Sequence, residues 1–470
     1  MSVIRFRQWF RLLSAAVGAI AFAASGLAPS AWAAPVLLIS PPVIDPGVPV
    51  PVGPVGPLIE TEQHAQCARP MWSGPGLRGA PEAQRVLDLP AAWRFSRGSG
   101  QTVAIIDTGV SPHPRLPTVI AGGDFVSTGD GTDDCDGHGS LVAGIVGARP
   151  SATDGFSGVA PDASIIAIRQ LSLAFEPKNS GNGHPAGAMN SSGYGNTATL
   201  ARAIVQAVKM HATVIDIGEA ACVPAGEDAA DGAVGVALEL AYDSNVVVVA
   251  SAGNLQTDGP CKDQNDGIGW AAVKTVSSPA WYAPFVLSVA SVDADGSPSA
   301  FSLNGPWVSV AAPGRGIVSL DSAPGSTGLV NSVQTSSGPG TIDGTAFAGA
   351  YVAGLAALVR AEFPSLSARG VMDRIVATAH HPGSGRDDRV GAGTIDPLAA
   401  LTAQLPGPAP QSAAERTLDA PRAPSSVDPH PRRVALTGLL GCAVLGAVAQ
   451  VLSIAYRRNR RRPFVEDVDY

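Results

Sequence analysis

Charge is scarce in this chain: only 15% of its 470 residues carry it. Together with 54 Gly and 40 Pro, that composition is poor for a helical bundle and suits an α/β enzyme with many tight turns. A basic surplus is lacking as well. Lys and Arg number 31 against 39 Asp and Glu, a formal net charge of -8, so no nucleic acid is expected as a partner. Metal-binding patterns are also missing. Asp133, Asp134 and Asp136 lack the ordered spacing of a calcium loop, and His380-His381 has no carboxylate or cysteine partner close by in the sequence. No metal and no cofactor is expected. Cysteine is sparse, with five in all. Cys67, Cys135, Cys222 and Cys261 fall in the region expected to be exported, where an even number fits two disulfides in an oxidising compartment. Cys442 sits in an apolar run near the C-terminus.

What is present divides the chain into segments. Residues 1–33 read as a secretory signal peptide: Arg5, Arg7 and Arg11, then an apolar stretch, then Ala31-Trp32-Ala33 as the cleavage site. Residues 34–80 form a proline-rich arm in which helices and central strands are blocked. It is either a flexible linker or a strip laid over the next domain, and Cys67 favours the strip. A globular pattern fills 81–405. Residues 406–432 are a Pro/Ala/Ser-rich linker. Residues 433–456 are apolar for about 23 positions, enough to cross a bilayer. A basic tail, 457–470, follows with five arginines, and the positive-inside tendency puts it in the cytoplasm.

Within 81–405, short apolar runs alternate with helical stretches. Strands are expected at Thr102–Ile106, Ser164–Arg169, Val214–Ile217, Asn245–Ala250, Phe285–Val292 and Trp307–Ala312, and helices at Ser140–Val146, Thr197–Ala207, Ala233–Tyr242, Thr345–Ala361 and Ala368–Ala379. Strand after helix after strand predicts an α/β domain with a mainly parallel sheet. Chemistry in such sheets gathers at the carboxyl ends of the strands, which is where Asp107 and Asn254 fall.

Four ordered motifs then point to one chemistry. Val103-Ala104-Ile105-Ile106-Asp107-Thr108-Gly109 resembles the aspartate motif of subtilisin-like proteases, and Asp136-Gly137-His138-Gly139-Ser140 their histidine motif. Val249-Ala250-Ser251-Ala252-Gly253-Asn254 resembles the oxyanion-asparagine segment, and Asp343-Gly344-Thr345-Ala346 the serine motif. The resemblance implies that Asp107 fixes the tautomer of His138, that His138 is the general base, and that Asn254 stabilises the oxyanion, a contribution of about 3 kcal/mol. It implies substrate contacts at Gly218, Ser251 and Gly253. The serine position holds Ala346.

The proline-rich arm with Cys67, Asp134-Cys135-Asp136, Phe156-Ser157-Gly158-Val159-Ala160-Pro161, Cys222-Val223-Pro224-Ala225 and the C-terminal span narrow the resemblance to mycosins. These are the subtilisin-like serine proteases of mycobacterial ESX (type VII) secretion systems. The resemblance implies disulfides Cys67–Cys135 and Cys222–Cys261. It also implies a single-pass protein of the plasma membrane with its peptidase domain outside. Its expected partners are components of the ESX membrane complex and secreted protein substrates.

Three positions depart from that pattern. Ala346 removes the nucleophile. Ile215-Asp216-Ile217-Gly218 stands where the family usually has Val-Ile-Asn-x-Ser, and Ser140 replaces a threonine. An engineered Ser→Ala exchange would change one residue. A natural pseudoprotease is free to drift elsewhere in its site, and Asp216 and Gly218 favour that origin.

Overall fold

The strand Thr102–Asp107 is apolar on both faces, and the structure uses both. In the computed structural model, Val103 and Ile105 point into one buried cluster and Ala104 and Ile106 into another. A strand covered on both sides reads as a continuous hydrophobic run. The structure describes residues 39–116, 118–178, 187–189, 193–257, 259–335, 338–405 and 430–459. The expected signal peptide, most of the 406–432 linker, most of the basic tail and much of the 180–196 loop lie outside the described residues.

The arm contributes β1 (Thr61–Gln63), and short helices α1 (Glu82–Val86) and α2 (Leu89–Ala92) follow. Next come β2 (Thr102–Asp107), β3 (Val119–Asp124), α3 (His138–Gly147), β4 (Ser164–Arg169), β5 (Phe175–Pro177) and α4 (Thr197–Lys209). The middle of the chain holds β6 (Val214–Ile217), β7 (Ala221–Pro224), α5 (Gly232–Asp243), β8 (Val247–Ser251), β9 (Thr275–Ser278), β10 (Leu287–Val292) and β11 (Val308–Pro313). Short strands β12 (Ser319–Leu320), β13 (Leu329–Val330), β14 (Ser332–Thr335) and β15 (Gly338–Thr341) lead into α6 (Thr345–Glu362), α7 (Ala368–Ala377), α8 (Pro397–Thr402) and α9 (His430–Asn459).

Seven strands form a parallel sheet in the order β11-β10-β8-β6-β2-β4-β3. Residues of α3 and α6 fill the cluster on one face, and residues of α4 and α5 the cluster on the other. The α/β class is as the sequence pattern predicts. The edge strand β3 was not expected, because its partly exposed Val-Ile-Ala-Gly-Gly-Asp lacks a buried run. Helix α6 is buried from Thr345 to Val359, with leucines such as Leu355 and Leu358 fully covered, each worth about 2 kcal/mol. Its small residues permit this close packing. A Cβ on Gly354 would lie 2.5 Å from Val159 Cβ.

The proline-rich arm lies on the domain. Arg202 donates to the Pro54 carbonyl at 2.7 Å, the Leu58 amide to the Tyr194 hydroxyl at 2.8 Å, and β1 pairs antiparallel with β5. Further on, the Ala68 amide bonds the Cys135 carbonyl and the Met71 amide the Ser332 carbonyl, each at 2.8 Å. Disulfides join Cys67 to Cys135 and Cys222 to Cys261.

The chain divides into two units at Leu405 and Pro406. The second contains α9, whose described apolar side chains are exposed, Leu439 by 70% and Leu445 by 71%. Among the described residues, no helix is long and apolar enough to cross a membrane.

Candidate active site

Strands β2, β6 and β8 are neighbours, and their carboxyl ends bring Asp107, Gly218-Glu219 and Asn254 to one edge of the sheet. Asp107 is fully buried at the end of β2. Its Oδ1 accepts from the Thr108 amide at 2.7 Å and faces His138 Nδ1, also at 2.7 Å. His138 is the first residue of α3, entered through Gly137 at φ 76°. The entry is held by Asp134, which accepts from Thr108 Oγ1, the Gly137 amide, and both the amide and hydroxyl of Ser140, at 2.7–2.8 Å. Burial raises Asp134 to about 6 against these bonds. Serine serves here as well as the expected threonine, because its hydroxyl reaches Asp134 and also accepts from the Ser111 amide at 2.9 Å.

Across the cleft, Ala346 is the second residue of α6 and is buried. Thr345 cannot replace the missing hydroxyl. It is fully buried, donates to Asn254 Oδ1 at 3.0 Å and accepts from the Gly253 amide at 3.3 Å. The Thr345 amide also donates to Asn254 Oδ1 at 3.0 Å. These two donors fix the amide orientation and leave Asn254 Nδ2 as a donor beside Gly344, 3.5 Å from where a Cβ on that glycine would sit.

A cleft of about 450 Å³ lies over these groups. Its walls include His138, Glu219, Asn254, Gly344 and Phe347, with Leu171 and Leu173 on one rim and Ala68 and Pro70 of the arm on another. Gly218 and Gly253 immediately precede the wall residues Glu219 and Asn254. Ser251 is buried, and Gly253 packs near Ser277 and Leu303. Gly218 lies against the acid–histidine pair, where a Cβ would fall 2.0 Å from Asp107 Oδ2 and 3.4 Å from His138 Cε1.

Glu219 has no place in the family motifs, so the sequence does not mark it. Its Oε1 stands 3.7 Å from His138 Nε2. Burial pulls the imidazole down, but the charge and hydrogen bond of Asp107, aided by Glu219 and Asp134, raise it to about 10. Burial also raises Glu219, while His138 draws it back down. Behind them Asp216 is fully buried, with neither carboxyl oxygen hydrogen-bonded. Burial, then the charge of Asp107, pushes it well above the ordinary carboxylate range. Elsewhere, His380 does find a carboxylate, Asp396 at 3.2 Å, though its side chain is 70% exposed.

The arrangement can polarise a carbonyl through Asn254 Nδ2 and favours a charged imidazole at His138. It offers no side-chain oxygen at position 346. Residues 98–393 match the Subtilase family. The chain is 44% identical to Mycosin-3 of Mycobacterium tuberculosis over 92% of its own length and 96% of that protein's. It is 42% identical to Mycosin-1 of Mycolicibacterium smegmatis, covering 93% and 96%. A crystal structure of MycP1 from the ESX-1 type VII secretion system superposes with a TM-score of 0.73 at 43% identity, over 79% of this chain and 98% of that one. A chain of an intact ESX-5 inner membrane complex gives 0.73 at 41% identity, over 88% and 100%.

Proposed function

Because the chain belongs to the mycosin family of subtilases, we propose that it is an extracytoplasmic subunit of a type VII secretion complex that keeps the peptide cleft and has given up hydrolysis. The observation that carries this is Ala346 at the start of α6, between the cleft residues Gly344 and Phe347, beside an acid–histidine pair and an asparagine that are assembled. Without a nucleophile no acyl-enzyme forms. A site lacking one triad member retains about 10³–10⁴-fold over water, too little for a working protease. The docking partner is the ESX membrane complex, because relatives occur as chains of the ESX-5 inner membrane complex and its periplasmic assembly. Residues 1–33 supply export and residues 433–456 the anchor, with the arginines of 457–470 left in the cytoplasm. The cleft receives extended segments of secreted proteins.

The test is a fluorophosphonate serine probe applied to the full chain in its source membranes. We expect no label at the cleft, and a labelled chain would sink the reading. Deleting the chain should shrink or destabilise the membrane complex on native gels. A complex that runs unchanged rules out the structural role.

A second reading is favoured by the 2.7 Å Asp107–His138 bond and the unspent Asn254 Nδ2: a serine endopeptidase whose working form carries serine at 346. Ala346→Ser decides between the two. Robust peptidase activity supports the second, and activity near background supports the first.

A further inference from the structure

His138 lies between two carboxylates. Nδ1 is 2.7 Å from Asp107 Oδ1 and Nε2 is 3.7 Å from Glu219 Oε1. A general base needs Nε2 unprotonated and facing the hydroxyl it will activate. A carboxylate at that nitrogen favours the opposite state, with both ring nitrogens as donors. We propose that Glu219 is a positioning residue that holds His138 as an imidazolium, a second lock on this site that acts independently of Ala346.

The surroundings act on the two partners differently. Asp107 on β2 and Asp134 in the loop before α3 favour a charged ring, and Asp216 on β6 bears on Asp107 and the same ring. Burial, Asp107 and Asp136 oppose a charge on Glu219, and His138 favours it. No lysine or arginine among the described residues lines the cleft to compete for Glu219. The Phe347 ring covers one side of the imidazole, 5.0 Å between centroids. The side chains of His138 and Glu219 are only 23% and 27% exposed, so water screens the pair incompletely. Gly218 sets the geometry, because its missing Cβ lets the segment after β6 press against Asp107 and carry Glu219 to the far nitrogen. A protease that had merely lost its serine oxygen would have no use for a carboxylate there. The inference rests on the non-hydrolytic reading for its purpose, but the ion pair can be judged apart from it.

The experiment follows the His138 ring by NMR in the full chain, labelled with ¹⁵N-histidine, through a pH titration. Glu219→Gln should lower the midpoint by about one pH unit or more, the usual effect of a charge partner at this range. Glu219→Asp, which keeps the charge, should stay nearer the parent. A midpoint that Glu219→Gln leaves in place overturns the proposal. In parallel, Ala346→Ser is compared with Ala346→Ser/Glu219→Gln for fluorophosphonate labelling at pH 7. The double variant should label about tenfold faster, since each unit of lowering multiplies the neutral ring about tenfold. Equal rates would also overturn the proposal. Labelling of the parent chain, by contrast, sinks the non-hydrolytic reading and leaves the titration to judge Glu219.

Discussion

The two sides of the cleft are built to different standards. On the β2–α3 side the polar atoms hold one another, and Asp134 alone takes hydrogen bonds from Thr108, Gly137 and Ser140. The Cys67–Cys135 disulfide closes on the same loop. On the β6–α6 side Asp216 is buried without a hydrogen bond, Asp107 Oδ2 faces Gly218 in the same condition, and Ala346 has no polar side chain. The first side begins a helix and anchors the arm, so folding alone explains why Asp107 and His138 keep their geometry. The second side would have served the nucleophile and the substrate, and the departures gather there. A well-preserved acid–histidine pair is therefore weak testimony of retained catalysis.

The largest expected effect probes the well-built side. Asp134→Ala strands several buried donors and should cost about 3–5 kcal/mol in urea unfolding; a loss under about 1 kcal/mol would erase the contrast. On the other side the sign should reverse. Asp216→Asn removes a buried carboxyl that has no partner, and should gain about 2 kcal/mol at neutral pH. The pH dependence sharpens this. Asp216 is raised in the folded state, so its stabilising contribution is complete below the unfolded carboxylate pKa of about 4 and is lost as pH rises through the folded value. Asp216→Asn should flatten that decline in a series of melting temperatures, and an unchanged slope contradicts the assignment. The smallest effect is Gly218→Ser, the exchange that returns the family residue. Its Cβ meets Asp107 Oδ2 at 2.0 Å, so a loss of about 1 kcal/mol is expected, with weaker His138 coupling to Asp107 in the NMR titration. A neutral result would mean that the segment relaxes freely.

Much of this architecture is legible in the sequence. The strands β2, β4, β6, β8, β10 and β11 are buried on both faces and announce themselves as apolar runs. The order of the motifs carried Asp107, His138 and Asn254 to the same sheet edge. The antiparallel pairs β1–β5 and β7–β9 are not visible in the sequence, because their partners lie far apart in the chain, and the β14–β15 hairpin lacks a buried run, β15 being partly exposed throughout. Glu219 was invisible for a different reason. Its meaning depends on the distance to a ring 81 positions earlier, and no local pattern marks a carboxylate that follows a glycine. Gly218 was noticed as a departure, but its consequence, a close approach to Asp107, is a matter of ångströms that spacing cannot express.

The arm has a consequence for the order of events in the living cell. Met71 shares hydrogen bonds with Ser332, a partner 261 positions away, and Cys67 waits for Cys135. A chain that emerges amino end first presents the arm long before the ground it will rest on exists. The arm is thus out well before its most distant seat, Ser332, is made. A chain cut between residues 202 and 332 keeps the arm's seats on Cys135, β5 and Arg202 but loses the Ser332 buckle at Met71.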